Sequence, residues 1–218
     1  MKRISSLCIS YILFVIIMPR IAIEPIADLF HINYDYLNDT YNILTTIILS
    51  FVAMYLYKDE LKLDWSKLKK GNWIICGFIG LFLILFISTS LSLLVLKGNP
   101  EQSSNQQYIE TLSTPIVTNI LPLVIVLFAP ILEEILFKGY LIKTLSPKWN
   151  TYLLAILSIL LFSFMHLHSI TELKAIIPYF AISFVTTFYF FKKDYNIWYA
   201  IIIHVLNNLL AQIIMFVK

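Results

Sequence analysis

The chain has 218 residues, 59% of them hydrophobic and 13% charged, with only five glycines and a mean hydropathy of +0.81. That balance excludes a water-soluble globule of this size and specifies an integral membrane protein. The net charge of +3 comes from lysines gathered in short loops, which suits the lipid bilayer's anionic surface and gives no nucleic-acid partner.

A membrane-crossing helix needs about 20 mostly apolar residues, and in chain order the sequence offers about seven of them. They cover roughly 4–23, 41–57, 73–96, 117–145, 151–167, 175–191 and 197–217. The segments are continuously apolar rather than alternating, so the fold class is all-α, a polytopic transmembrane helix bundle and not a β-barrel. The first begins Met1-Lys2-Arg3 like a signal peptide. Pro19-Arg20 follows without a small-residue cleavage site, so it is read as a retained first span. Cys8 and Cys76 sit in apolar segments without CxxC or Cys/His spacing and indicate neither a disulfide framework nor a thiolate metal site.

Between the spans, 24–40 reads as an acidic loop with Glu24, Asp28, Asp35 and Asp39, and 58–70 as a solvated, headgroup-facing lysine loop. The polar segment 99–114 reads as an exposed loop. Lys2, Arg3, the lysines of 58–70, Lys138, Lys143, Lys148, Lys192 and Lys193 fall on one side, against Lys97, Lys174 and Lys218 with Arg20 on the other. The positive-inside rule then puts the amino terminus inside and the carboxyl terminus outside, a multi-pass protein of the cell membrane. Trp65, Trp73, Trp149 and Trp198 mark the inner boundary as interface anchors. No repeat or inverted halves are visible, which argues against a repeat-built transporter and for one membrane domain, 1–218.

Burying an ionisable side chain in hydrocarbon costs roughly 2.5–3.5 kcal/mol on insertion scales, so polar residues inside spans carry information. They stand out on three of the segments: Glu133, Glu134 and Lys138 on the fourth, Phe162-Ser163-Phe164-Met165-His166 closing the fifth, and His204 with Asn207 and Asn208 on the seventh. Residues four apart share a helix face, which pairs Glu134 with Lys138 and His204 with Asn208, and leaves Glu133 on another face in need of a partner from elsewhere. Asn207 faces away from Asn208 and reads as interhelical glue. Pro122 and Pro130 read as kinks in the fourth span. If the fourth and fifth spans turn at 146–149, Glu133 and His166 differ by only ~6 Å in height at 1.5 Å per residue, while His204 falls ~10 Å nearer the inner face.

A carboxylate, two imidazoles and a carboxamide in a low-dielectric site are the parts of a water-activating hydrolase. Glu133 serves as general base, His166 orients the water or shares its proton, and His204 with Asn208 donates to an oxyanion. Glu133, His166 and His204 would also be the ligands of a zinc site, if there were one; without HExxH no two ligands share a helix face, and no cofactor is expected.

These three motifs, Glu133-Glu134-x-x-x-Lys138, Phe162-x-x-x-His166 and His204-x-x-x-Asn208, resemble those of the CPBP (Abi) family. That family of intramembrane proteases includes eukaryotic CAAX prenyl proteases and bacterial bacteriocin-processing or immunity proteins. The resemblance covers 117–217 as a catalytic core. It implies Glu133 as base, Glu134 as its supporting carboxylate, His166 as the second water-activating group, and His204 with Asn208 as the oxyanion site. Lys138 and Phe162 would be supporting residues. The family's first motif usually ends in Arg, where this chain has Lys138, a mobile point charge instead of a planar fork. The implied activity is an intramembrane endopeptidase acting on a membrane-associated protein or peptide. The alternative is a non-proteolytic member, partnered with another membrane protein, acting in bacteriocin immunity, envelope-enzyme regulation or lipoprotein modification. Few glycines with many Ile, Lys and Asn suggest an AT-rich bacterial genome, where a literally prenylated substrate is not expected.

Overall fold

The computed structural model describes residues 2–68, 71–97, 120–167 and 170–217, and every regular element among them is helical. The expected segment 99–114 lies outside the described residues. In chain order, α1 (Lys2–Tyr11) passes through a π-wound stretch, Ile12–Ile17, into α2 (Met18–Ile21), followed by α3 (Ile23–Phe30) and α4 (Tyr34–Leu56). Next come α5 (Lys58–Ser66), α6 (Asn72–Leu96) and a helical run, Ile120–Thr144, with a short α segment, α7 (Ala129–Glu134), between π-wound Val124–Phe128 and Ile135–Thr144. Then α8 (Thr151–Met165), a 3₁₀ turn (Ile170–Ala175), α9 (Ile176–Lys192) and α10 (Ile197–Val217) complete it.

Over the described residues, all seven expected segments are mainly helical. Five are long and apolar enough to cross a membrane, and the other two, Ser6–Val15 and Thr151–Met165, are shorter apolar helices. Two expectations about the connections change. The acidic stretch 24–40 is largely helical, because Asn33 caps α4 by accepting the Tyr36 N–H at 3.0 Å and so starts that helix seven residues before the apolar run does. The lysine stretch contains α5, which buries Asp64.

The described residues group into two compact units. In the first, formed by residues up to Lys58 together with the run as far as Leu136, α4 packs on α7 and on α1 and α3. Ile43 and Val124 are its buried pair, backed by Ile47, Leu121 and Phe128. Ser50, fully buried, donates to the carbonyl of Phe128 at 2.8 Å, and the Tyr41 hydroxyl donates to that of Phe14 at 2.8 Å. Both acceptors lie in π-wound stretches. Pro130 has no N–H to give, so the helix rewinds beside it instead of continuing as regular α. Carbonyls displaced by such rewinding need donors that lipid cannot supply, and neighbouring hydroxyls provide them.

The second unit contains α5, α6, the run from Phe137 onward, α8, α9 and α10. Here α9 packs on α6, α8 and α10, and α6 on α10. Phe162, Val185 and Ile203 lie at its core, with Cys76, Ile84 and Tyr189. The same hydroxyl device recurs: Ser158 donates to the carbonyl of Phe137 at 3.1 Å, and Thr144 to that of Gly139 at 3.0 Å. Gly77 and Gly80 let α6 approach α10 closely. A Cβ at Gly80 would stand 2.6 Å from Ile203 Cδ1, and one at Gly77 2.8 Å from Leu206 Cδ1. Opposite them α6 turns Phe78, Phe82 and Phe86 outward, the side suited to lipid.

At one end of this unit Asp64 holds three elements together. Its carboxylate accepts Lys143 Nζ at 3.0 and 3.1 Å and the N–H of Ile197 at 3.1 Å, where a negative charge also suits the start of α10. Its backbone carbonyl accepts from Asn196 Nδ2 at 2.7 Å. Trp198 Nε1 donates to the carbonyl of Leu61 at 2.8 Å and meets Trp65 edge-on at 4.9 Å.

Candidate active site

Asn150 starts α8, its side chain accepting the N–H groups of Tyr152 and Leu153. Fifteen residues of helix then carry Phe162 and end at Met165, with His166 as the capping residue. His166 Nδ1 is 2.7 Å from the carbonyl of Phe162. A carbonyl only accepts, so Nδ1 bears the hydrogen, and the neutral ring has its lone pair on Nε2. The imidazole touches Phe162 at 4.7 Å between ring centres and stacks on Tyr179 at 4.5 Å, with planes 19° apart.

Phe162 is fully buried, and inside the second unit one residue of each motif lies against its ring. His166 lies against its ring, His204 of α10 meets it edge-on at 5.6 Å, and Lys138 Nζ stands 5.0 Å from its centre. His204 therefore lies nearer the start of α8 than His166 does, the direction in which its offset is expected. The N-terminus of α10, fixed on Asp64, brings His204 to the level of Phe162, one helical turn before His166. His204 is 2% exposed and Lys138 fully buried. The Lys138 ammonium donates a long hydrogen bond of 3.5 Å to Ser183 on α9. Asn208, one turn beyond His204, is half-buried and accepts from Asn207 Nδ2 at 3.2 Å, so Asn207 orients its neighbour's amide instead of bridging helices.

Glu133 and Glu134 belong to the first unit, on α7 between the two π-wound stretches. Glu134 is fully buried and Glu133 half-buried. Tyr11 of α1, itself buried, lies within electrostatic reach of the Glu133 carboxylate. π-Winding beside a polar residue is common where a helix serves a function.

Three participants were not read from the sequence: Tyr11, Tyr179 and Ser183. A signal for the last two exists. Tyr179, Ser183, Thr186 and Thr187 follow the i, i+4, i+7, i+8 spacing of one helix face, a polar stripe on a span otherwise rich in Phe and Ile. Ser183 and Thr186 are fully buried. Among the described residues, no three His, Cys, Asp or Glu side chains gather as a metal ion would require.

Residues 115–210 match a family model described as type II CAAX prenyl endopeptidase Rce1-like. This is the CPBP/CAAX protease family that the three motifs resemble. Comparison with curated proteins and with solved structures gives no match.

Proposed function

We propose that this multi-pass membrane protein, Rce1-like over residues 115–210, is an intramembrane endopeptidase that hydrolyses a peptide bond of a membrane-associated protein or peptide. The observation that carries the reading is the meeting of Lys138, His166 and His204 on the Phe162 ring, because each comes from a different motif. Glu133 takes a proton from water, and the resulting hydroxide attacks the scissile carbonyl carbon. His166 uses its Nε2 lone pair to hold that water, its Nδ1–H being committed to the Phe162 carbonyl. An N–H of His204 and the amide of Asn208 donate to the oxyanion of the tetrahedral intermediate. Glu133 then passes its proton to the leaving amine, and the products are a new carboxylate and a new amine. Glu134 supports Glu133, and Lys138 offsets the buried negative charge as a point cation.

Comparative membrane proteomics tests the reading. Glu133→Gln and His166→Ala should each accumulate in the membrane at the level of the unsubstituted protein and lose the same peptide termini. Retention of every terminus in both variants would end the peptidase reading and favour a non-proteolytic role in immunity, envelope-enzyme regulation or lipoprotein modification.

A further inference from the structure

At the lysine-rich end of the second unit, the start of α6, the end of α9 and the start of α10 surround a cavity of about 220 Å³. Ligand sites for drug-sized molecules run to roughly 300–1,000 Å³, so this one suits a smaller group. Its deep side chains are Tyr199 and Asn196, 4% and 3% exposed. Lys67, Lys192 and Lys193 line it against a single acid, Asp194. None of these lysines is ion-paired among the described residues, whereas Lys143 at the same end is bound to Asp64.

The wall that carries Lys193 is fixed, while Lys67 and Lys192 are exposed at the rim, the Lys192 ammonium resting 5.4 Å from the Phe188 ring centre. Lys193 Nζ is held 5.3 Å from the centre of the Tyr199 ring. The turn that carries it is fixed by two consecutive left-handed residues, Asp194 (φ 54°) and Tyr195 (φ 58°). The Tyr195 N–H is bonded to the Phe190 carbonyl at 2.8 Å and that of Asn196 to the Lys193 carbonyl at 3.0 Å. Non-glycine residues in that conformation persist where the surroundings over-determine them, and they cluster at ligand clamps. Asn196 spends both ends of its amide on Asp64 and Trp198, so it shapes the wall. The Tyr199 hydroxyl has no hydrogen-bond partner among the described residues and remains available to donate. Asn72, the first residue of α6, also lines the cavity, so the positive end of a 25-residue helix adds to the field. Trp73 and Trp198 lie beside it in sequence, and tryptophans gather at the level of lipid headgroups.

We propose that this cavity binds a phosphate group, with the three lysines supplying charge and Tyr199 a hydrogen bond. The group arrives either on an anionic phospholipid or as free phosphate. The test is the thermal unfolding midpoint of the full-length protein in neutral detergent, titrated separately with phosphatidylglycerol and with inorganic phosphate. At least one should raise the midpoint saturably. Substituting Lys67→Gln, Lys192→Gln and Lys193→Gln together should weaken that ligand roughly tenfold or more. Substituting Lys58→Gln, Lys62→Gln and Lys148→Gln, an equal change of charge outside the cavity, should leave it unchanged. Tyr199→Phe, which removes only the hydroxyl, should weaken it several-fold and serves if the triple variant fails to fold. Saturation by phosphatidylglycerol alone assigns a lipid headgroup; saturation by inorganic phosphate assigns the free anion. An absence of saturation with both, an unchanged affinity in the cavity variants, or equal losses in the two triple variants would overturn the proposal.

Discussion

Phe162 was the least conspicuous member of its motif, an aromatic residue in a span full of them, and the structure sets residues of all three motifs against its ring. Its ring meets two imidazoles and an ammonium, and cation–π and edge contacts of this kind orient the polar partners as well as packing them. Phe162→Ala should lower stability by about 3–5 kcal/mol, read as a fall in the thermal midpoint in detergent. A midpoint unchanged from the parent would show that the ring is not the support described. The polar members of the site were legible because charge and imidazole are out of place in an apolar span. The Tyr179–Ser183 stripe was not, because hydroxyls are cheap in a membrane helix and draw no attention without a helical wheel.

The positions of the helices were legible from apolar runs alone, but their internal winding and their facing were not. A span that is apolar all round gives no periodic signal to say which side meets protein. In α6 the answer lies in size: Gly77 and Gly80 face α10, and Phe78, Phe82 and Phe86 face outward. The start of α4 was missed because Asp35, Asn38 and Asp39 look like loop residues, while the Asn33 cap that makes them helical is a single side chain. Ile203, which fills the space at Gly80, immediately precedes His204. Gly80→Ala should therefore cost about 1–3 kcal/mol through overpacking and displace His204, so that stability and activity fall together. Adding Ile203→Ala should recover part of both, a coupling that a double-mutant cycle measures. Purely additive losses would mean that the two helices do not meet there.

At the scale of the whole chain, composition and charge were the most informative properties. Lys67, Lys143, Lys192 and Lys193 all lie at the end of the second unit that Asp64 organises, as the positive-inside assignment requires of them. Reporter fusions test the orientation: a periplasmic phosphatase should be active when joined at Asn105 and inactive when joined at Asp194, and the reverse pattern would invert the topology. The grouping into two units was not readable, because the chain passes from one to the other within a single uninterrupted helical run, at Leu136. Composition does not change at that point.

The most direct test of the central claim compares membrane-peptide termini among cells carrying the unsubstituted protein, Glu133→Gln, His166→Ala and His204→Ala at equal membrane levels, one substitution for each motif. The peptidase account requires the same set of termini to vanish in all three. Termini that persist in all three, or three unrelated sets of losses, would contradict it.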